Sequence, residues 1–299
     1  MRYIKILIIT GLIFTSLPLW VYSAFMDIGA GARPVGMGNA FVGIANDANA
    51  MLYNPAGLNR VNNSQLTCMY GALLAGIKND NLGYGFLSYV QPAGKIGTFS
   101  IGITNFGSNL YSENVVIASY GTKLFSGLAI GFNLKSLSKT YKQNEYTIIN
   151  PAFTNYSASG MGFDVGILLL LSDKFVLGVV GDNVNQPDIH LISEDKVPMT
   201  IKFGMGLQLG KKFNIAIDYN SYQNTSKDYK INCGIETWLS DKFALRGGLG
   251  TGNNEYNNLS LGMSIVIGKF QFDYAYQNSL SNPIINTSGN HRVSLTLDF

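Results

Sequence analysis

Few residues in this 299-residue chain are equipped for bond-breaking chemistry, and their spacing argues against it. Histidine is the usual general base and metal ligand near neutral pH, and the chain has two. His190 follows Asp188 in a polar connection, and His291 opens the last alternating segment. No HxH, HExxH or CxxC spacing builds a metal set around either one. A hydrolase built on His291 would need a nucleophilic serine and an orienting polar group on adjacent elements, and a histidine at an aromatic surface is the simpler reading. Cys68 and Cys233 fall on apolar faces of segments far apart in the order, so unpaired thiols are expected rather than a disulfide. GxGxxG-like spacings carry little weight, because 34 glycines make them common and no strand-to-helix context follows. No catalytic residue, metal ligand or cofactor is therefore expected, and the chain reads as a non-enzyme.

Charge excludes another class of partner. The formal net charge is +3, and taking Arg2 and Lys5 of the leader from the 21 basic residues leaves 19 against 18 acidic ones. Such a near-neutral chain offers no basic surface for nucleic acid.

The elements that must position the remaining residues have a period of two. Phe270, Phe272, Tyr274 and Tyr276 alternate with Gln271, Asp273, Ala275 and Gln277, so one face is apolar and the other polar. Val293, Leu295, Leu297 and Phe299 oppose Arg292, Ser294, Thr296 and Asp298 in the same way, and the segments 201–209, 213–219 and 259–267 repeat the pattern. About fourteen such segments run from Leu66 onward, centred near residues 70, 86, 101, 118, 133, 165, 178, 204, 216, 234, 246, 262, 273 and 295. Short turns near residues 92–95, 124–127, 172–174, 210–212, 240–242 and 268–269 alternate with longer polar connections at 138–157, 183–197, 221–228 and 278–290. After the leader, no apolar run approaches the roughly 20 residues that a membrane helix needs. Yet 46% of the chain is hydrophobic and only 13% charged, low for a soluble exported protein. An all-β, closed antiparallel transmembrane barrel of about fourteen strands reconciles these facts, with lipid outside, polar residues inside and the short turns in the periplasm. Lys202, Asp218, Lys230, Glu236, Arg246, Asp273, Arg292 and Asp298 should then face inward and pair across neighbouring strands.

Three units follow. Residues 1–24 read as a signal peptide: Arg2 and Lys5 precede an apolar run from Ile6 to Leu19, and Ser23 and Ala24 offer small-residue cleavage sites. Residues 61–299 form the barrel. Between them, residues 25–60 hold Gly29, Gly31, Gly36, Gly38 and Gly43, which allow tight turns or close backbone approach, with Pro34 stiffening one point. Asn46 or Asp47 is positioned to cap a short helix through Tyr53, Pro55 disfavours helix at Asn54, and Asn-Pro-Ala-Gly reads as a turn into the first strand. This segment is expected to be a plug or floor on the periplasmic side of the barrel; its composition speaks for filling space and not for movement.

Gly-Ala-Arg at 31–33, Gly-Met-Gly at 36–38, Ala-Phe-Val at 40–42, Asp47 and Asn-Pro-Ala-Gly-Leu at 54–58 carry a family likeness. The stretch resembles the amino-terminal signature of the outer-membrane barrels related to PorV, PorQ and the fatty-acid channel FadL. The resemblance covers about thirty residues and implies a cell outer-membrane location and a plug motif of Arg33, Gly36, Gly38, Asp47, Asn54 and Pro55. Arg33 is the candidate for meeting the inward carboxylates, since a guanidinium can bridge two acids. Phe299, closing an alternating strand, resembles the terminal signal by which such barrels engage their assembly machinery.

Two functions follow from the resemblance. The first is FadL-like transport of hydrophobic small molecules such as long-chain fatty acids; the alternative is a PorV- or PorQ-like partner in protein secretion, with the long loops contacting exported proteins. For the first, a pocket is expected from Leu168, Leu170, Val176 and Trp238, apolar at inward positions, and from the loop residues Ile148, Phe153, Ile189 and Leu191. Leu168, Leu170, Val176 and Val180 break the polar-lumen rule, and close packing against the plug accounts for them equally well.

Overall fold

The computed structural model describes residues 24–77, 82–149, 155–210, 212–223, 228–254, 256–281 and 287–299. Of the expected signal peptide all but Ala24 lies outside the described residues, as does Phe153. Fourteen strands follow one another: β1 (Gln65–Leu73), β2 (Leu82–Pro92), β3 (Thr98–Gly107), β4 (Tyr111–Phe125), β5 (Leu128–Tyr141), β6 (Ser157–Leu170), β7 (Phe175–Asp182), β8 (Thr200–Leu209), β9 (Phe213–Tyr222), β10 (Tyr229–Ser240), β11 (Phe243–Gly252), β12 (Asn257–Ile267), β13 (Phe270–Ser279) and β14 (Asn290–Asp298). Each pairs antiparallel with its sequence neighbours, and β1 closes on β14 with Gln65 opposite Asp298 and Ala72 opposite His291. Closure leaves no sheet edge along the paired wall, the condition for crossing lipid with strands. Every centre expected from the alternation falls inside a strand.

Side chains obey the pleat. Phe270 and Phe272 are each 44% exposed on the outer face while Asp273 between them on β13 is 4% exposed. On β8, Phe203 and Met205 face out and Lys202 is buried. Keeping these charges off the outer wall matters, since Lys or Arg facing lipid at mid-membrane costs about 2–4 kcal/mol. One expectation is corrected at residues 138–157. β5 continues through Ser138 to Tyr141, with Ser138 opposite both Asn114 and Ser159. Leu137 and Lys139 are both buried there, so the alternation persists beyond the point where polar residues suggested a loop.

Residues 24–64 enter the barrel and fill it. Two short helices, α1 (Ala32–Gly36) and α2 (Ala50–Tyr53), and a 3₁₀ turn at Pro55–Arg60 form this floor. Asp47 does not cap α2, which begins after Asn49; its Oδ1 instead accepts the Asn49 amide at 2.8 Å. Asn54 is extended, as a residue before proline must be, and its Oδ1 accepts the Ala56 amide. The expected simple turn into β1 is thereby a 3₁₀ turn. Met37, Phe41, Ile44, Met51 and Leu58 join Met69, Phe86, Val90 and Ile117 of the wall in one buried apolar cluster.

Candidate functional site

Close backbone contact seats the floor. A Cβ on Gly131 of β5 would lie 2.2 Å from the Ala56 nitrogen, and one on Gly248 of β11 would lie 2.2 Å from the Gly38 nitrogen. These wall positions are glycine because the plug backbone occupies the space a side chain would take. Gly38 itself has φ 66°, the left-handed region that favours glycine.

Polar anchors fix the same seat. Arg33 of α1 donates from Nε and Nη2 to both carboxylate oxygens of Glu236, each at 2.8 Å, and from Nη1 to Asp47 at 2.8 Å and Asn46 at 2.7 Å. Glu236 also accepts from Arg246 Nε at 2.6 Å and Asn214 at 2.8 Å, and Arg246 reaches Asp273 at 3.2 Å. The result is an alternating chain Asp47, Arg33, Glu236, Arg246, Asp273 across plug and wall. Burial pushes the Arg33 guanidinium toward losing its proton, but Glu236 and Asp47 outweigh that and hold it above its usual range. Asp218 accepts the Phe41 and Val42 amides at 2.6 and 2.8 Å, and Asn54 donates to Val42 O and Ile167 O at 3.2 and 3.1 Å. Arg60 donates to Ile44 O and Gln208, both at 2.6 Å; burial first, and then Arg33, push its pKa down to about 10.

Above the floor, on the long-loop side, the strap Phe25–Ala30 borders a cavity of about 120 Å³. Phe25, Met26, Ile28, Phe106, Val115 and Leu137 give it an apolar side, and Asp27, Lys135, Asp164, Asp182 and Lys202 a charged one. The charged side is a second alternating chain. Lys135 bridges Asp164 at 2.6 Å and Asp182 at 2.7 Å, and Lys202 bridges Asp182 at 3.4 Å and Asp27 at 2.9 Å.

The plug-motif residues are thus brought together at the floor, with Gly36 against Gly262 of β12 and Pro55 against Gly131. The residues expected to hold an apolar ligand lie elsewhere. Leu168 and Val176 pack with Ala129 on Ala56, fully buried in the seat of the floor. Leu170 is 37% exposed at the short-turn rim, where Trp238 is half-buried. None of the four walls the cavity: the apolar surface of Leu168 and Val176 is taken up by the plug, and Leu170 and Trp238 lie at the short-turn rim. Among the loop residues, Ile189 is buried with Leu137 and Val197 beside Ala24 and Phe25, Leu191 is half-buried, and Ile148 is exposed. Sequence reasoning placed Lys202 inward and paired with a neighbouring strand, but missed its partners Asp182 and Asp27, the Lys135 and Asp164 part of the chain, and the strap as a separate part of the plug. The available signal was Lys135, Asp164, Asp182 and Lys202, opposite charges on the polar faces of β5 to β8.

Residues 47–297 match the family model of the type IX secretion system membrane protein PorP/SprF. No curated protein matches the chain. Among solved structures, the Ralstonia pickettii toluene transporter TbuX is similar at 14% identity and a TM-score of 0.69, over 92% of this chain and 100% of that one. The Pseudomonas putida toluene transporter TodX is similar at 12% identity and a TM-score of 0.65, over 91% and 99%. A Pseudomonas aeruginosa FadL homologue is similar at 11% identity and a TM-score of 0.62, over 90% and 98%. At these identities the likeness is one of fold.

Proposed function

The chain belongs to the PorP/SprF family of type IX secretion system membrane proteins, an outer-membrane β-barrel, and from that premise we propose that it serves protein secretion as a plugged barrel that binds exported proteins. It does so through its long-loop face, with no catalytic chemistry. This is the role expected of a PorV- or PorQ-like partner. The observation that carries the reading is the occupied lumen. The floor is interlocked with wall glycines and one chain of ion pairs, a second chain holds the strap, and the space beside the strap is about 120 Å³, against roughly 300–1,000 Å³ for ordinary small-molecule pockets. That space is small for a long-chain fatty acid. In cells lacking the protein, proteins exported by the type IX route should fall in the medium and on the surface and build up in the periplasm. Unchanged export would reject the role.

The apolar side of the cavity favours a second reading, passage of hydrophobic small molecules as in FadL-like channels. Uptake of a labelled long-chain fatty acid, compared between cells with the intact protein, cells with residues 29–58 deleted and cells with none, tests it. Equal uptake in all three, with the barrel inserted, rejects transport of that ligand.

A further inference from the structure

The connection between β7 and β8 folds into the mouth of the lumen. It leaves the wall at Asp182 and returns at Thr200, and these two residues stand opposite each other in the β7–β8 register. Residues 187–197 within it make a hairpin of their own. Ile189 N donates to Asp195 O and Val197 N to Pro187 O, each at 3.0 Å, Asp188 and Lys196 form an antiparallel bridge, and Asp188 Oδ1 accepts the Asp195 amide at 2.9 Å. Pro187 and Pro198 bracket the hairpin and fix φ at its two ends.

The hairpin rests on the strap. Ile189 and Val197 are each 1% exposed and pack with Leu137 of β5 against Ala24 and Phe25. On the β6 side a Cβ at Gly160 would lie 3.0 Å from Ile189 Cγ2 and 3.3 Å from Asp188 O, so glycine there leaves room for the hairpin. An ion pair from Lys139 of β5 to Asp195 ties it down. Directly beneath lies the cavity, bordered by Phe25, Leu137 and Asn183.

The join to β7 is built differently. Asn183 has φ 53° and Gln186 φ 46°, a region that residues other than glycine adopt at a cost and keep only while their surroundings hold them there. Beyond Asp182, β6 has lost its strand partner: the Val184 amide bonds Phe163 O, and the Asn185 side chain bonds Phe163 N and Met161 O in its place. A hairpin that carries its own backbone bonds, and hangs on a strained join, can leave as a unit while the strand pairing of the barrel stays whole.

We propose that the 187–197 hairpin is a lid, hinged at Asn183 and Gln186, that closes the long-loop end of the lumen over the strap. Its opening withdraws Ile189 and Val197 and turns Phe25, Leu137 and the apolar side of the cavity toward the long-loop face. The lid thereby controls access to both strap and cavity, whichever of the two functions above holds.

Thiol labelling of the detergent-solubilised barrel tests this, in a background of Cys68→Ser and Cys233→Ser because both native cysteines are exposed. Ile189→Cys reports the lid, and Val176→Cys, packed on Ala56, reports the seat of the floor; both side chains are 1% exposed in the structure. With equal burial, a difference in rate measures a difference in opening. A maleimide should label Ile189→Cys at least about tenfold faster than Val176→Cys, because the lid opens locally whereas Val176 is reached only when the floor leaves. Adding Lys139→Gln, which removes the ion pair to Asp195, should raise the lid rate several-fold and leave the Val176→Cys rate unchanged. Val197→Cys, on the same buried side of the hairpin, is the second reporter if Ile189→Cys does not give a heat-modifiable barrel. Equal rates at lid and floor in folded protein overturn the proposal, and so does a lid rate that Lys139→Gln leaves unchanged or alters only in step with Val176→Cys.

Discussion

Around Arg33 the plug meets the wall through a closely paired chain of alternating charges and backbone laid on glycine, whereas around Asp27 it meets the wall through long basic side chains beside a cavity. Both regions are polar, yet they resist movement differently. At the floor, a displacement opens voids against Gly131 and Gly248 and strips Glu236 of the Arg33 guanidinium that holds both its carboxylate oxygens. At the strap, lysine stems can follow a displaced segment, and the neighbouring cavity admits it. A close-packed interior has few arrangements to choose among, while a loosely filled one has several. The strap is thus the part of the plug with room to shift, and the floor is the part the wall holds in one arrangement.

The largest effect should come from filling the floor's seat. Gly131→Val or Gly248→Val places carbons where plug backbone stands, and neither neighbour is a side chain able to swing aside. Loss of folded, heat-modifiable barrel on a gel is the expected outcome. Normal folding with the plug protected from protease would break the distinction between floor and strap.

Glu236→Ala comes next. It leaves Arg33 and Arg246 facing each other without their shared carboxylate, and removing one partner of a buried pair costs about 3–5 kcal/mol. Urea unfolding in detergent measures it. Asp27→Asn should cost less, about 2 kcal/mol for one charge-assisted bond at a partly exposed site, with the solvent-facing side of the pair lowering that further. Limited proteolysis separates the two: Asp27→Asn should speed cleavage near Phe25 and leave the chain around Arg33 protected.

The wall was legible in the sequence and the lumen only partly so, for a physical reason. Strand positions follow from alternation, a local property, and the two-residue period places Phe270 outside and Asp273 inside without any knowledge of neighbours. Arg33 as a bridge between acids was also readable, since α1 had to bring its charge into a lumen lined by carboxylates. The role of Leu168 was not. An inward apolar residue reads the same whether a ligand or a plug covers it, and only the placement of Ala56 decides. The strap escaped notice because Phe25 to Ile28 carry no motif, and their importance comes from Lys202, Lys230 and Arg292 arriving from strands remote in sequence.

The smallest effect, and the sharpest separation of the two regions, lies in pH. Burial by itself would raise the Asp27 carboxyl, but Lys202 and then Lys230 reverse that and hold it below its ordinary 3.8. A carboxyl lowered in the folded state binds its proton less readily there than in the released strap, so its stabilisation is fully present above pH 3.8 and is lost as pH falls through the lowered value. Strap protection from protease should therefore be flat from neutral pH down to about 4 and decline only below it. Asp27→Asn should abolish that acid dependence while keeping whatever acid sensitivity the floor has. A strap that loosens between pH 5 and 7 in the unmodified protein would show that some group other than Asp27 governs its release, and would remove the reason for treating Asp27 as the strap's principal anchor.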